Sequence, residues 1–127
     1  MYEINPIKED GYEASYIYKS KNIAGQIIHL NIFLCDYRYF WVIFYITTKR
    51  RNGFQEGKQT GKDGIKSLIW AKNCVLHFIE TKRRLHHGKK LFIQGADKRR
   101  YSVYKRSLEP LGFTEILDGT NTLMIEL

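Results

Sequence analysis

Proline is nearly missing from this 127-residue chain, which holds only Pro6 and Pro110, and no long stretch is rich in Gly, Ser or Pro. Neither a linker nor a low-complexity segment therefore divides it, and a single domain over residues 1–127 is expected at this length. Cysteine is as sparse. Cys35 and Cys74 fall into no Cys-x-x-Cys or Cys/His spacing that would gather a tetrahedral metal, so no metal site is expected and both read as small hydrophobes in a reduced compartment. Long apolar runs are missing too. The longest apolar region, Ile27 to Ile46, is interrupted by Asp36 and Arg38 and contains His29 and Asn31. A membrane span needs about 20 nearly uninterrupted apolar residues, so this region reads as two strands and no membrane association is expected. The first residues, Met1 to Pro6, form no basic leader followed by an apolar stretch, and a cytoplasmic location is expected.

Acidic residues are scarce, 13 against 21 Lys and Arg, for a formal net charge of +8. The excess is concentrated. Residues 49–106 hold 17 of the 21 cations against Glu56, Asp63, Glu80 and Asp97, a net +13, while the remainder of the chain carries −5. Such segregation draws anions, whether nucleic acid, acidic protein or the phosphates of a cofactor, without choosing among them.

What is abundant is aromatic and apolar: 43% hydrophobic and 14% aromatic residues are enough for a real core. Tyr12 to Tyr18 alternates as a half-exposed strand, and Gly25 to Leu34 places Ile28, Leu30, Ile32 and Leu34 on one face of a second. Cys35 to Arg38 makes a hairpin turn. Tyr39 to Ile46 is apolar without alternation, as expected for a central strand covered on both sides. From Thr47 to Asp63 the chain turns polar, with Gly53, Gly57 and Gly61 among charges, which predicts a working loop. From Gly64 the period changes, and Ile65, Leu68, Ala71 or Lys72, Val75, Phe78 and Ile79 define a helix to about residue 84. His86 and His87 follow in a polar stretch and read as solvated. Leu91 to Ile93 is a short strand, and Asp97 caps a second helix carrying Tyr101, Tyr104, Leu108 and Leu111 on one face. Phe113 to Ile116 and Thr122 to Leu127 close the chain as a hairpin. The order predicts an α/β fold: a mixed, mostly antiparallel sheet with two main helices, packed on both faces.

Four stretches resemble the core of the GNAT superfamily, the N-acyltransferases that move an acetyl group from acetyl-CoA to an amine. Ala24 to Leu30 is similar to its Gly-initiated strand, and Trp41 to Thr48 to the strand that leads to its pyrophosphate loop. Lys62-Asp63-Gly64-Ile65-Lys66-Ser67-Leu68 resembles the Arg/Gln-x-x-Gly-x-Gly/Ala signature that opens the long helix, and Leu108 to Phe113 resembles the Tyr-x-x-x-Gly-Phe ending. The resemblance covers residues 24–127, without the two helices that usually follow the family's first strand, and is strongest to small truncated bacteriophage members. It implies acetyl-CoA as the cofactor, held by Gly61, Lys62, Asp63, Gly64, Ile65 and Lys66, with the pantetheine arm along the strand edge at Ile46 and Thr47. Backbone amides at a helix start suit such an anion.

The chain departs from the pattern at three residues. Aligning Gly64 with the first fixed glycine puts Gly61 at the Arg/Gln position and Lys66 at the final Gly/Ala, and Lys58 and Gln59 are the alternative polar group. The family tyrosine that protonates the departing thiolate falls at Leu108. Tyr104 lies one helical turn earlier, about 6 Å along the axis, and is the candidate acid. No base stands out, although His29 serves if it faces the cleft. Two other readings stand beside the enzyme. One is a catalytically inactive protein of this fold that grips nucleic acid or an acidic protein through residues 82–106, and the other is a virion component or host-protein inhibitor docking through tyrosines.

Overall fold

The computed structural model of the protein describes residues 6–10, 15–22, 25–50, 53–56, 61–95 and 97–127. Four strands come first: β1 (Pro6–Asp10), β2 (Ser15–Lys21), β3 (Ile27–Cys35) and β4 (Tyr39–Arg50). After β5 (Gly53–Glu56) come helix α1 (Gly61–Lys82), β6 (Lys90–Gln94), helix α2 (Lys98–Leu108), a 3-10 turn at Glu109–Leu111, β7 (Thr114–Ile116) and β8 (Thr122–Glu126). They form one mixed eight-stranded sheet in the order β1-β2-β3-β4-β6-β8-β7, with β5 paired to β4. Only β4 and β6 pair in parallel. The α/β class expected from the residue pattern is therefore observed.

Register follows from side-chain alternation. β3 meets β4 with Ile28 opposite Ile46, Leu30 opposite Phe44, Ile32 opposite Val42 and Leu34 opposite Phe40, so one face of the pair is wholly apolar. Tyr16 and Tyr18 of β2, Leu91 and Ile93 of β6, and Leu123 and Ile125 of β8 extend that face. On it lies α1, whose Trp70 ring centre sits 6.4 Å from that of Phe44 and whose Phe78 sits 5.2 Å from Phe40 and 5.0 Å from Tyr16. Each such fully buried side chain stabilises the fold by about 1.5–3 kcal/mol.

The helices depart from expectation in one respect. β6 and β7 both run antiparallel to β8, so β4-α1-β6 and β6-α2-β7 are two parallel crossovers stepping the same way across the sheet. Right-handed connections then put both helices on one face. Among the described residues no helix covers the other face, where Trp41 and Tyr45 are half-buried and Ile43 is 46% exposed. The unbroken apolar run of β4 therefore does not signal cover on both sides. Its second face is filled by ring contacts instead, Tyr39 and Trp41 on Phe92 and Tyr45 stacked on His29 at 4.4 Å.

Other boundaries differ as well. The first strand expected over Tyr12 to Tyr18 is replaced by β1 and β2, with residues 11–14 outside the described residues. Of the loop expected over Thr47 to Asp63, Thr47 to Arg50 continue β4 and pair antiparallel with β5, residues 51–52 and 57–60 lie outside the described residues, and α1 begins at Gly61 rather than Gly64. Asp97 does cap α2, its carboxylate accepting from the Arg100 amide at 2.8 Å. His86 is not solvated. The chain folds back after α1, with Gly88 N–H donating to Leu127 C=O at 2.9 Å, and this presses His86 against Phe40 and Phe78 with Nε2 2.9 Å from the Tyr16 hydroxyl. A second such tie joins the Tyr18 hydroxyl to Nδ1 of His77 at 2.9 Å.

Two outcomes follow. Burial, then Lys89 and Lys82, hold the His86 pKa below its ordinary value of 6.5, and burial, then Lys19, lower that of His29. The unfolded chain takes up these protons first, so the stabilisation is complete above about pH 6.5 and is lost as pH falls through the folded-state values. The melting temperature should drop between about pH 7.5 and about pH 5.5, with a shallower drop in His86→Gln. Gly95 is the second test, since a Cβ there would lie 2.6 Å from Cβ and 2.7 Å from Cα of Tyr101. Gly95→Ala should destabilise the protein by about 1–3 kcal/mol in chemical denaturation, because backbone rather than a side-chain tip must move.

Candidate functional site

Strand β4 is 12 residues long and β6 only five. Their parallel ladder runs from Tyr39 opposite Lys90 to Val42 opposite Ile93, and β5 takes up the same edge of β4 only at Thr47, opposite Glu56. Among the described residues, Ile43 to Ile46 therefore has a strand partner in β3 alone. Its outward peptide groups are available to a ligand that pairs as a strand would.

A cavity of about 750 Å³ occupies this gap. Leu68, Ala71 and Val75 of α1, Val42 and Phe44 of β4, and Val103, Tyr104 and Leu108 of α2 wall it, while Trp41 and Ile43 line it from the opposite face of the sheet. It passes through the sheet where the strands part. Among the described residues its charged lining is Lys72, Arg100 and Arg106, with no carboxylate. Arg100 reaches Asp97 only at 3.9 Å, so the cavity favours anions.

Helix α1 runs antiparallel to β4: Phe78 packs near the start of the strand, at Phe40, and Trp70 farther along, at Phe44. Its N-terminal end therefore points toward the carboxyl end of β4, where the gap opens. The main-chain amides of Gly61, Lys62, Asp63 and Gly64 belong to the first helical turn and have no partner within the helix. This amends the expected loop around Gly64. The helix starts at Gly61 rather than Gly64, so the expected anion-binding residues Gly61 to Gly64 form its first turn. Ile65 and Lys66 lie in the helix, and the Lys66 side chain is exposed. Lys58 and Gln59 lie outside the described residues.

The strand-edge residues divide. Ile46 is 3% exposed and turned to the core, leaving its main chain as what faces the gap. Thr47 is flanked on both sides by Ile27 and Glu56, and its Oγ1 lies 2.8 Å from Nε2 of His29. The open edge is therefore Ile43 to Ile46, and of the expected pair Ile46 and Thr47 it contains only Ile46. His29, stacked on Tyr45 and tied to Thr47, does not line the cavity.

Two tyrosines of α2 have different surroundings. The Tyr101 hydroxyl donates to Oε2 of Glu115, which Lys105 also approaches at 3.4 Å, and burial followed by this bond pushes the Tyr101 pKa up to about 12. Tyr104 lines the cavity, and its hydroxyl has no hydrogen-bond partner among the described residues. Burial raises its pKa, Arg100 opposes that and Asp97 adds to it, so the phenol stays protonated through neutral pH. The cavity itself had no sequence signal, because it depends on where two strands stop pairing. Lys72, Arg100 and Arg106 were visible only as members of the basic span.

Among the described residues no group of three or more His, Cys, Asp or Glu could hold a metal ion, and no described helix is long and apolar enough to cross a membrane. The tyrosines generate a paired prediction. Tyr101→Phe should lower the melting temperature by several degrees, about the worth of one hydrogen bond. Tyr104→Phe should leave it within about 0.5 kcal/mol of the parent, since no partner is lost. Comparison of the chain with protein-family models, with curated proteins and with solved structures finds no match.

Proposed function

We propose that the chain is a GNAT-like N-acyltransferase, moving an acetyl group from acetyl-CoA to an amine. One observation carries the reading: the gap at Ile43 to Ile46 opens toward the N-terminal end of a long helix, over a cavity lined from both faces of the sheet. A diphosphate suits the helix's first-turn amides at Gly61 to Gly64, with Lys66 as a nearby cation. The amide-containing pantetheine arm suits the open edge of β4, which offers peptide groups that β6 leaves unpaired.

The chemistry then falls to α2. An uncharged amine attacks the thioester carbonyl, the carbon–nitrogen bond forms, the carbon–sulfur bond breaks, and the departing thiolate takes a proton from Tyr104. A phenol that stays protonated at neutral pH suits that role. Among the described residues no histidine or carboxylate lines the cavity to take the amine's proton, so the amine arrives deprotonated, the proton it sheds after attack passes to water, and Tyr104 regains its own from solvent. The rival reading, nucleic-acid binding by an inactive protein of this fold, is favoured by the exposed cations Arg83, Arg84, Lys98 and Arg99.

CoA at one hundred times its dissociation constant should stabilise the protein by about 2.7 kcal/mol in thermal unfolding. Tyr104→Phe should then lower kcat by about 10²–10⁴ with CoA affinity unchanged, and Lys66→Ala should weaken CoA binding severalfold. No shift with CoA, together with salt-sensitive binding of random DNA, would leave only the basic surface.

A further inference from the structure

The gap is larger and greasier than an acetyl group needs. We propose that the cavity seats a medium-length acyl chain, of the octanoyl class, carried by an anionic headgroup. On the acyltransferase reading, on which the choice of headgroup rests, that ligand is a medium-chain acyl-CoA.

Size is the first argument. An acetyl group ends after one methyl, whereas the cavity of about 750 Å³ reaches past the β4 edge, where the pantetheine arm is placed, to Leu68 and Val75 of α1 and to Val103 and Leu108 of α2. Along the strand it spans Trp41 to Phe44, three steps of extended chain or about 10 Å. Along α2 it spans Arg100 to Leu108, eight helical steps or about 12 Å. Those lengths match an extended octanoyl chain.

Wall chemistry is the second. Leu68, Val75, Phe44, Trp41, Val103 and Leu108 offer hydrocarbon or aromatic surface, and each buried methylene of a ligand is worth about fourfold in affinity there. Among the described lining a polar acceptor would meet hydrogen-bonding side chains at Lys72, Gln94, Arg100, Tyr104, Arg106 and Ser107, and it would lose its hydration against the remaining walls.

Charge is the third. Lys72 and Arg106 have no ion-pair partner among the described residues, and Arg100 meets Asp97 only at 3.9 Å, so the described lining of the cavity holds three cations and no carboxylate. Hydrocarbon walls with cations alone describe a site for an anionic amphiphile, and they disfavour a cationic ligand.

The test is a binding series by calorimetry on the full chain, using CoA, acetyl-CoA, butyryl-CoA, octanoyl-CoA and free octanoate. The same series is run on Val103→Trp, which narrows the cavity from a partly exposed helix position, 36% accessible, and so spares the core. Affinity should climb with each methylene and reach at least about a hundredfold gain from acetyl-CoA to octanoyl-CoA, and Val103→Trp should erase that gain. Binding of octanoate that Val103→Trp removes, without any affinity for CoA, would support the acyl-chain site while ending the acyltransferase reading. CoA binding with no dependence on chain length would overturn the acyl-chain site and leave the acetyl-transfer reading in place. Absence of binding by every probe would sink both.

Discussion

The structure turns on a mismatch of length between two parallel strands. β4 runs 12 residues and β6 five, so after Val42 and Ile93 the central strand continues without its neighbour. Peptide groups deprived of a ladder partner must find water, another segment or a ligand. The cavity, the open edge and the approach of both helices to one point are consequences of that single divergence. Where β5 restores pairing at Thr47, the gap closes again, and this bounds the site at its far end.

Two same-handed crossovers put α1 and α2 on one face of the sheet, and that face carries the core. Tyr16 and Tyr18 of β2 meet His86, in the turn after α1, and His77 of α1, so polar hydroxyls are admitted to the core with partners in place. The other face remains aromatic and half-buried. Its Phe92, Tyr39 and Trp41 rings pack on one another, and the sheet joins the two environments only through the gap beside Ile43. The two tyrosines of α2 divide their roles by the same geometry. Three residues apart, Tyr101 reaches down to Glu115 on β7, while Tyr104 turns toward the opening.

Much of this was legible from the residues. Ile28, Leu30, Ile32 and Leu34 announced β3, the Cys35 to Arg38 turn fell between the strands it joins, and Asp97 capped α2 as read. These features are local, set by alternation, turn chemistry and capping within a few residues. The misreadings share a cause. Tyr39 to Ile46 read as covered on both sides because an apolar run does not reveal whether its second face meets a helix or other rings. His86 read as solvated because its neighbours in sequence are polar, while its neighbours in space are Phe40, Phe78 and Tyr16. Thr47 to Arg50 and Gly53 to Glu56 read as part of a loop because glycines and charges do not distinguish paired strands from a connection.

The sequence alone determined the α/β class, the order of elements from β2 onward apart from β5, the concentration of positive charge in residues 49–106 and the presence of Tyr101 and Tyr104 on one face of the second helix. Each depends on patterns that repeat within one segment. Only the tertiary structure decided that both helices share a face, that β6 stops short of β4, and that Lys72, Arg100, Arg106 and Tyr104 converge on one apolar cavity. Those facts depend on the handedness of crossovers and on where ladders between distant strands end. Neither is encoded in the periodicity of any one segment.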